Sequence, residues 1–413
     1  EAERMARLAA EAIDEATFGM VSPGRLVAEI ERLAADLDRA VAEYAAADAA
    51  ARAALSSAFV QTSVQLLATF LPPHLKAAAI FATFTAWLAT AQLGGQMGLG
   101  SSRIEVLQRD REISEYIETY GMSLLGSLLL PGAALVPNDK ELGILARPLA
   151  IITNELTGSD SFVVTEVGEH VTQPTTSLAD AFGLLYELRP DQGGAAGAVA
   201  VERFAHPDGT IAWLVALPAT QEVFRNAPDN VIDVPALLNL EAGMTAAPML
   251  LAAGALAAAG ARPDEKVLLV GHSQGGMVGV RLAEDRTFTD RFSVVGVVTA
   301  GSPVAAWDLP TEIQGVHFEH SQDVVVALDG QAVPPEPNRT TIRVDMTTQA
   351  SALASTENGH SNIAYQNTAA ETFDTMDDPS LVALRELFGE VWGPEGTTSQ
   401  VTVYQGAWVP REA

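Results

Sequence analysis

Residues 266–282 read KVLLVGHSQGGMVGVRL: an apolar, β-branched run, a serine between glycines, then a stretch of helix formers. Gly271, Ser273 and Gly275 meet the spacing G-x-S-x-G, which sets a serine hydroxyl at the tip of a sharp strand-to-helix turn, a nucleophile elbow. The glycines have a mechanical task. Strand and helix backbones approach so closely that side chains at Gly271, Gly275 or Gly276 would collide, while Ser273 itself is held strained. The spacing alone is weak evidence in a chain with 33 glycines. Context strengthens it: Lys266–Val270 reads as a buried strand, and Met277–Leu282 continues as a helix whose N-terminus points at the serine. His272, inside the elbow, reads as structural.

A serine hydroxyl is a poor nucleophile at its own pKa, so it needs a base, and the base needs an orienting acid. In sites built on such an elbow the partners follow in chain order serine, acid, histidine. Three further strands are expected downstream, in FSVVGVVTAGSPV (292–304), GVHFEHSQDVVVALDG (315–330) and TTIRVDM (340–346). Asp323 sits just past the second of these, with Asp308 and Asp329 as alternative acids. The loop beyond the last strand, ENGHSNIAY, carries His360, with Gly359 before it to let the loop turn. The other histidines fit the base less well. His317 and His320 alternate along a strand, with His320 as a core or rim residue near Asp323, while His74, His170 and His206 precede the elbow and read as surface or packing residues.

The segments VVTAGSPV, HSQDVVVAL and GH, arranged after GHSQGG, resemble the α/β-hydrolase superfamily and, within it, class three lipases. There the strand after the elbow ends in a Gly-Ser-Pro turn, here Gly301-Ser302-Pro303, and the next ends in an Asp-x-Val stretch with the acid, here Asp323-Val324-Val325. The resemblance covers roughly residues 197–375. It implies an α/β-hydrolase fold, a mostly parallel sheet flanked by helices, to which the helical patterns upstream add an all-helical N-terminal region. It implies a serine ester hydrolase of lipase, phospholipase or carboxylesterase type, acting through Ser273, His360 and Asp323 on an acyl-ester or lipid substrate. One oxyanion donor is the backbone N–H of Gln274, at the helix N-terminus. The second should come from the loop after TIAWLVALPATQ, where the family places a Gly-Thr or similar pair and this chain has Ala219-Thr220-Gln221. Thr220 matches by position, and Pro218 cannot donate. That strand pairs with AVAVERFAH across His206-Pro207-Asp208-Gly209, a hairpin signal. A thioesterase or acyltransferase would use the same three residues. No organic cofactor or metal is called for, since no Cys or His cluster has ligand spacing.

The chain of 413 residues divides on this reading into a helical hairpin (1–57), an apolar helical region (58–150) and a catalytic domain (151–413). The formal net charge of −28 argues against nucleic acid and against electrostatic docking on anionic membranes. Zero Cys excludes disulfides. EAERMARLAAEAIDEA reads as charged helix rather than a signal peptide. The first 57 residues suggest two amphipathic helices broken at Phe18-Gly19 and Ser22-Pro23-Gly24. They weakly resemble the helical hairpins of type VII secretion substrates, with Tyr44 and Asp48 as the Y-x-x-x-D pair but no W-x-G. The alternative is a scaffold that takes a helical partner or a second copy of itself.

Residues 77–102 carry no formal charge, and three readings fit: buried helical packing, a lid or acyl-chain pocket that meets a lipid interface, or a membrane segment. Thr83, Gln92, Gln96 and the glycines make insertion marginal. Around the catalytic core, FVVTEV is expected as an outer strand, TSLADAFGLLYEL as a helix entered at Thr176-Ser177, DPSLVALRELFGEVW as a helix, and QVTVYQGAWVP as a strand extending the sheet edge. Ala-, Gly- and acid-rich composition suggests a high-GC bacterium, with secretion or envelope association expected and a cytoplasmic location as the alternative. The competing class of function is a helical secretion or interaction protein whose hydrolase fold is secondary.

Overall fold

The structure, a computed structural model, describes residues 161–170, 174–222, 228–329, 333–347 and 359–409, with five further helical positions at Arg111, Ser114, Arg147, Ala150 and Ile151. The expected hairpin at 1–57 lies outside the described residues, and so does the 58–150 region apart from Arg111, Ser114, Arg147 and Ala150.

Eight strands form one mixed sheet: β1 (Ser161–His170), β2 (Ala198–Ala205), β3 (Ile211–Leu217), β4 (Lys266–His272), β5 (Ser293–Ala300), β6 (Gln314–His320), β7 (Arg339–Val344) and β8 (Thr398–Val409), in the order β1-β8-β2-β3-β4-β5-β6-β7. From β3 to β7 neighbours are parallel; β1-β8, β8-β2 and β2-β3 are antiparallel. The helices with both ends among the described residues are α1 (Leu178–Glu187), α2 (Val234–Glu241), α3 (Ala247–Ala259), α4 (Gln274–Glu284), a short α5 (Arg286–Thr289), α6 (Asn362–Glu371) and α7 (Pro379–Trp392).

The central parallel strands are nearly continuous apolar runs because both faces are covered. Val267 and Leu269 of β4 join a core with α2, α3 and α4 on one face, while Leu268 and Val270 join a second core with α1, α6 and α7 on the other. This α/β/α layering is what a strand-rich stretch interleaved with helices should give. Local chemistry sets the element ends. Ser177 caps α1 by accepting from Asp180 N at 3.1 Å, and Asp378 caps α7 by accepting from Ser380 N at 2.9 Å. The β2-β3 hairpin closes through His206 N–H to Thr210 O at 2.9 Å, with Gly209 at φ +89°.

One sheet expectation is corrected. QVTVYQGAWVP does not extend an edge: β8 lies inside the sheet, antiparallel to β1 on one side and β2 on the other. Being last in the chain implies nothing about position in the sheet, and its buried Val401, Val403 and Tyr404 suit a strand paired on both sides. The edge is β1, as FVVTEV suggested, with Val163 and Val167 exposed and a bulge between Glu166 and Gly168. Among the described residues no helix is long and apolar enough to cross a membrane.

Candidate active site

Ser273 joins β4 to α4 with φ 55° and ψ −123°, and among the described residues it is the one non-glycine with positive φ. Such backbone costs of order 1–3 kcal/mol and persists only where the surroundings impose it. They do so here through the glycines. A Cβ on Gly271 would overlap the Gly275 backbone, one on Gly275 would overlap the Leu217 carbonyl and come within 2.8 Å of Pro218 O, and one on Gly276 would strike the Ser302 side chain. Ser273 N–H donates to Ala300 O at 2.8 Å, which ties the turn to the end of β5.

Asp323 follows β6 and is buried, as expected of a residue just past that strand. Its Oδ1 and Oδ2 accept from His360 Nδ1 at 3.0 and 2.9 Å. Asp323 Oδ1 also accepts from Val325 N–H at 2.9 Å, and Oδ2 from the Tyr365 hydroxyl at 2.6 Å. Burial works to raise this carboxyl's pKa, but the His360 charge and hydrogen bond, with the bonds from Tyr365 and Val325, outweigh it and hold it below the ordinary carboxylate value. Asp308, the first alternative acid, is exposed, and Asp329 ends a 3₁₀ turn beyond Asp323.

Gly359 stands in a turn, as expected, and also serves close approach. A Cβ there would stand 2.6 Å from the Gln322 carbonyl and 2.9 Å from Asp323 N, so the two loops that deliver acid and histidine run backbone to backbone. Gly301 fills a similar role from β5: with φ +60°, its Cβ would stand 2.7 Å from Asp323 Oδ2, 2.8 Å from Tyr365 Cε2 and 3.0 Å from His360 Nδ1. Ala300 is in register with His272 on β4 and Phe318 on β6, so Ser273, Gly301 and Asp323 leave the carboxyl ends of three adjacent parallel strands. His272 completes the link: its ring lies 4.7 Å from the His360 ring, and its Nε2 is 3.1 Å from His360 O. The structure therefore gathers Ser273, Asp323 and His360 at one end of the sheet.

Gln274 opens α4, so its N–H is one of the unpaired amides of a helix N-terminus. Its side chain is buried, with Nε2 donating to Asp233 O at 2.9 Å. Thr220 lies two residues beyond Pro218, whose carbonyl abuts Gly275, on a half-buried loop anchored by Gln221 N–H to Ile232 O at 2.9 Å. The two backbone segments expected to supply oxyanion donors thus meet at the elbow.

Sequence reasoning placed His272 and His320 among the packing residues of this site without their contacts, and it missed Tyr365. His272, expected to be structural, is buried and packs against His360. His320 is buried beside Asp323, with Nδ1 2.7 Å from Gly359 O and Nε2 2.8 Å from Thr368 Oγ1. Tyr365 stacks on His320, with centroids 3.9 Å apart and planes 2° from parallel. The signal for Tyr365 was present, a Tyr five residues after His360 at the start of a helix, but only the return of α6 onto β6 shows what it reaches. His206 packs at the opposite end of the sheet, its Nε2 3.0 Å from Val391 O, and His74 lies outside the described residues. Among the described residues no three His, Cys, Asp or Glu side chains converge to hold a metal ion. No protein-family model, curated protein or solved structure matches the chain.

The buried histidines make stability pH-dependent. Burial, with the nearby His360 charge, pushes His272 down to about 3; burial and Arg339 push His317 down to about 3; burial pushes His320 down to about 4. Each is protonated in the unfolded chain below about pH 6.5 but stays neutral in the fold until its depressed value. The unfolded state then binds more protons, so stability falls as pH drops from 6.5 towards 4, by up to about 1.4 kcal/mol per pH unit for each histidine. Glu202 and Glu284, whose carboxyls burial raises, act in the opposite direction. Urea midpoints at pH 7, 6, 5 and 4.5 should fall steadily, and His317→Gln should flatten the slope by about one histidine's share.

Proposed function

We propose that the chain is a serine ester hydrolase of the α/β-hydrolase fold, cleaving acyl esters of lipid type through Ser273, His360 and Asp323. The observation that carries this reading is the strained Ser273 at a β4-to-α4 turn, two strands from a buried Asp323 whose carboxylate accepts from His360. A serine held at that cost, at the carboxyl edge of a parallel sheet, is a reactive serine rather than a turn residue.

The steps follow from charge. With Nδ1–H bonded to Asp323, His360 takes the Ser273 proton on Nε2 as the serine oxygen attacks the ester carbonyl, and Asp323 stabilises the imidazolium. The tetrahedral oxyanion accepts from Gln274 N–H and from the 218–220 loop, each donor worth about 3 to 4 kcal/mol in well-studied enzymes. His360 returns the proton to the leaving alcohol. An acyl group now sits on Ser273, and water, activated by the same imidazole, releases the acid and restores the serine.

The test measures fatty acid release from phospholipid vesicles, triacylglycerol and short p-nitrophenyl esters, beside mass-spectrometric mapping of a fluorophosphonate adduct. Release from lipid together with an adduct on Ser273 is the expected result. Turnover of short esters alone would narrow the reading to a carboxylesterase, and an unlabelled Ser273 with no turnover would overturn it.

A further inference from the structure

We propose that Tyr365 is a positioning residue of this site, whose hydroxyl shares the Asp323 carboxylate with His360 and so sets both the orientation and the basicity of the imidazole. The inference rests on the serine hydrolase reading above.

The direction of the hydrogen bond is forced. Tyr365 Oη lies 3.2 Å from the backbone nitrogen of His320 and 2.6 Å from Asp323 Oδ2. A backbone N–H can only donate, so Oη accepts from His320 and its own proton goes to the carboxylate. Tyr365 is fully buried, and no bulk water competes for that proton.

The phenol is also held in place. Its ring lies flat on His320, and His320 is fixed at both nitrogens. Gly359 O can only accept, so His320 Nδ1 carries the proton and Nε2 accepts from the Thr368 hydroxyl. Tyr365 and Thr368 stand three residues apart on α6, His320 ends β6, and Gly359 precedes His360. This brace joins the helix, the strand that presents the acid and the loop that presents the base. Gly301 closes the remaining side, since a Cβ there would stand 2.8 Å from Tyr365 Cε2.

The chemical consequence concerns Oδ2. It accepts from the phenol at 2.6 Å and from His360 Nδ1 at 2.9 Å, and each donor draws charge that the other would otherwise have. With the hydroxyl removed, the imidazolium faces a carboxylate of greater proton affinity, and His360 becomes more basic. The other titratable groups around the pair are His272 from β4 and His320 from β6, both kept neutral by burial. Further out are Glu319, paired with Arg343 at 3.1 Å, and Arg189 beyond α1. None replaces the lost donor.

Tyr365→Phe keeps the ring and its stack on His320 and deletes only the hydroxyl. The rate of fluorophosphonate labelling of Ser273 against pH should keep its shape while its acid limb moves to higher pH by about half to one unit. Thr368→Val, which deletes one bond of His320 and none of Asp323, should lower the thermal midpoint and move the limb by clearly less than Tyr365→Phe does. Superimposable profiles for wild type and Tyr365→Phe, or an equal displacement in Thr368→Val, would overturn the role of the hydroxyl. Absence of labelling in the wild type would instead remove the hydrolase reading itself. Should Tyr365→Phe not fold, proton NMR of the wild type decides. Two low-field lines that cross-relax, the His360 Nδ1–H and a slowly exchanging phenolic O–H, are expected, and an imidazole line without a phenolic partner would sink the proposal.

Discussion

Ser273→Gly is expected to lower kcat/KM for ester substrates by about 10⁴- to 10⁶-fold while raising stability by about 1 kcal/mol. The two halves come from one backbone angle. Ser273 stands at φ 55° and ψ −123°, where a Cβ is crowded and glycine is not. Removing the side chain relieves that strain and removes the proposed nucleophile together. Residual activity would come from the oxyanion donors and substrate binding, which need no serine oxygen. For the same reason His360→Ala added to Ser273→Gly should cost almost nothing more, because residues that act as one unit lose their effect together. Steady-state assays of the single and double variants, with urea midpoints on each, check both halves. A double variant far slower than Ser273→Gly would mean that His360 works apart from Ser273. A destabilised Ser273→Gly would mean that the turn is not strained.

The elements that carry the site were legible for local reasons. Lys266–His272 and Gln274–Glu284 announce themselves through a β-branched run and a helical pattern joined by small residues, and the strand, turn and helix stand where that pattern puts them. Ser177, Asp378 and the Asp208-Gly209 turn are local signals too, each satisfied within four residues. What could not be read is what long-range pairing decides. Nothing in QVTVYQGAWVP distinguishes an edge strand from one inserted between β1 and β2, since its alternation is the same in either place. Gly359 was legible as a glycine but not as a close approach, because its neighbour is Gln322, distant in sequence. His320 read as a core or rim residue near Asp323, and nothing local marked what Tyr365 reaches. Their hydrogen bonds to Asp323 and Gly359 exist only because α6 folds back against β6. Acid and base candidates were thus open to a reading of order and type, whereas the residues that orient them emerge from packing.

Gly275→Ala tests the elbow from the backbone side. Its Cβ would overlap the Leu217 carbonyl oxygen and stand 2.8 Å from Pro218 O, and neither obstacle is a side chain that can rotate away. The strain must therefore be relieved by separating α4 from the end of β3. That movement opens the space between Gln274 N–H and the 218–220 loop, where the oxyanion is to be held. A displacement of about 1 Å suffices to cost about 10²-fold in rate, and loss of one oxyanion donor about 10²- to 10³-fold. Gly275→Ala should accordingly lower kcat by about 10²- to 10³-fold, with KM for a short ester changed far less, and destabilise the fold by about 1–3 kcal/mol. Gly168→Ala is the matched control. A Cβ on that β1 glycine would meet nothing within 4 Å, and its backbone is not in the left-handed region, so both activity and midpoint should stay near wild type. Stability and kcat must fall together in Gly275→Ala if one backbone contact governs both. A folded Gly275→Ala with full kcat would show that the oxyanion is stabilised away from the meeting point of β3 and α4, and would remove the 218–220 loop from the proposed mechanism.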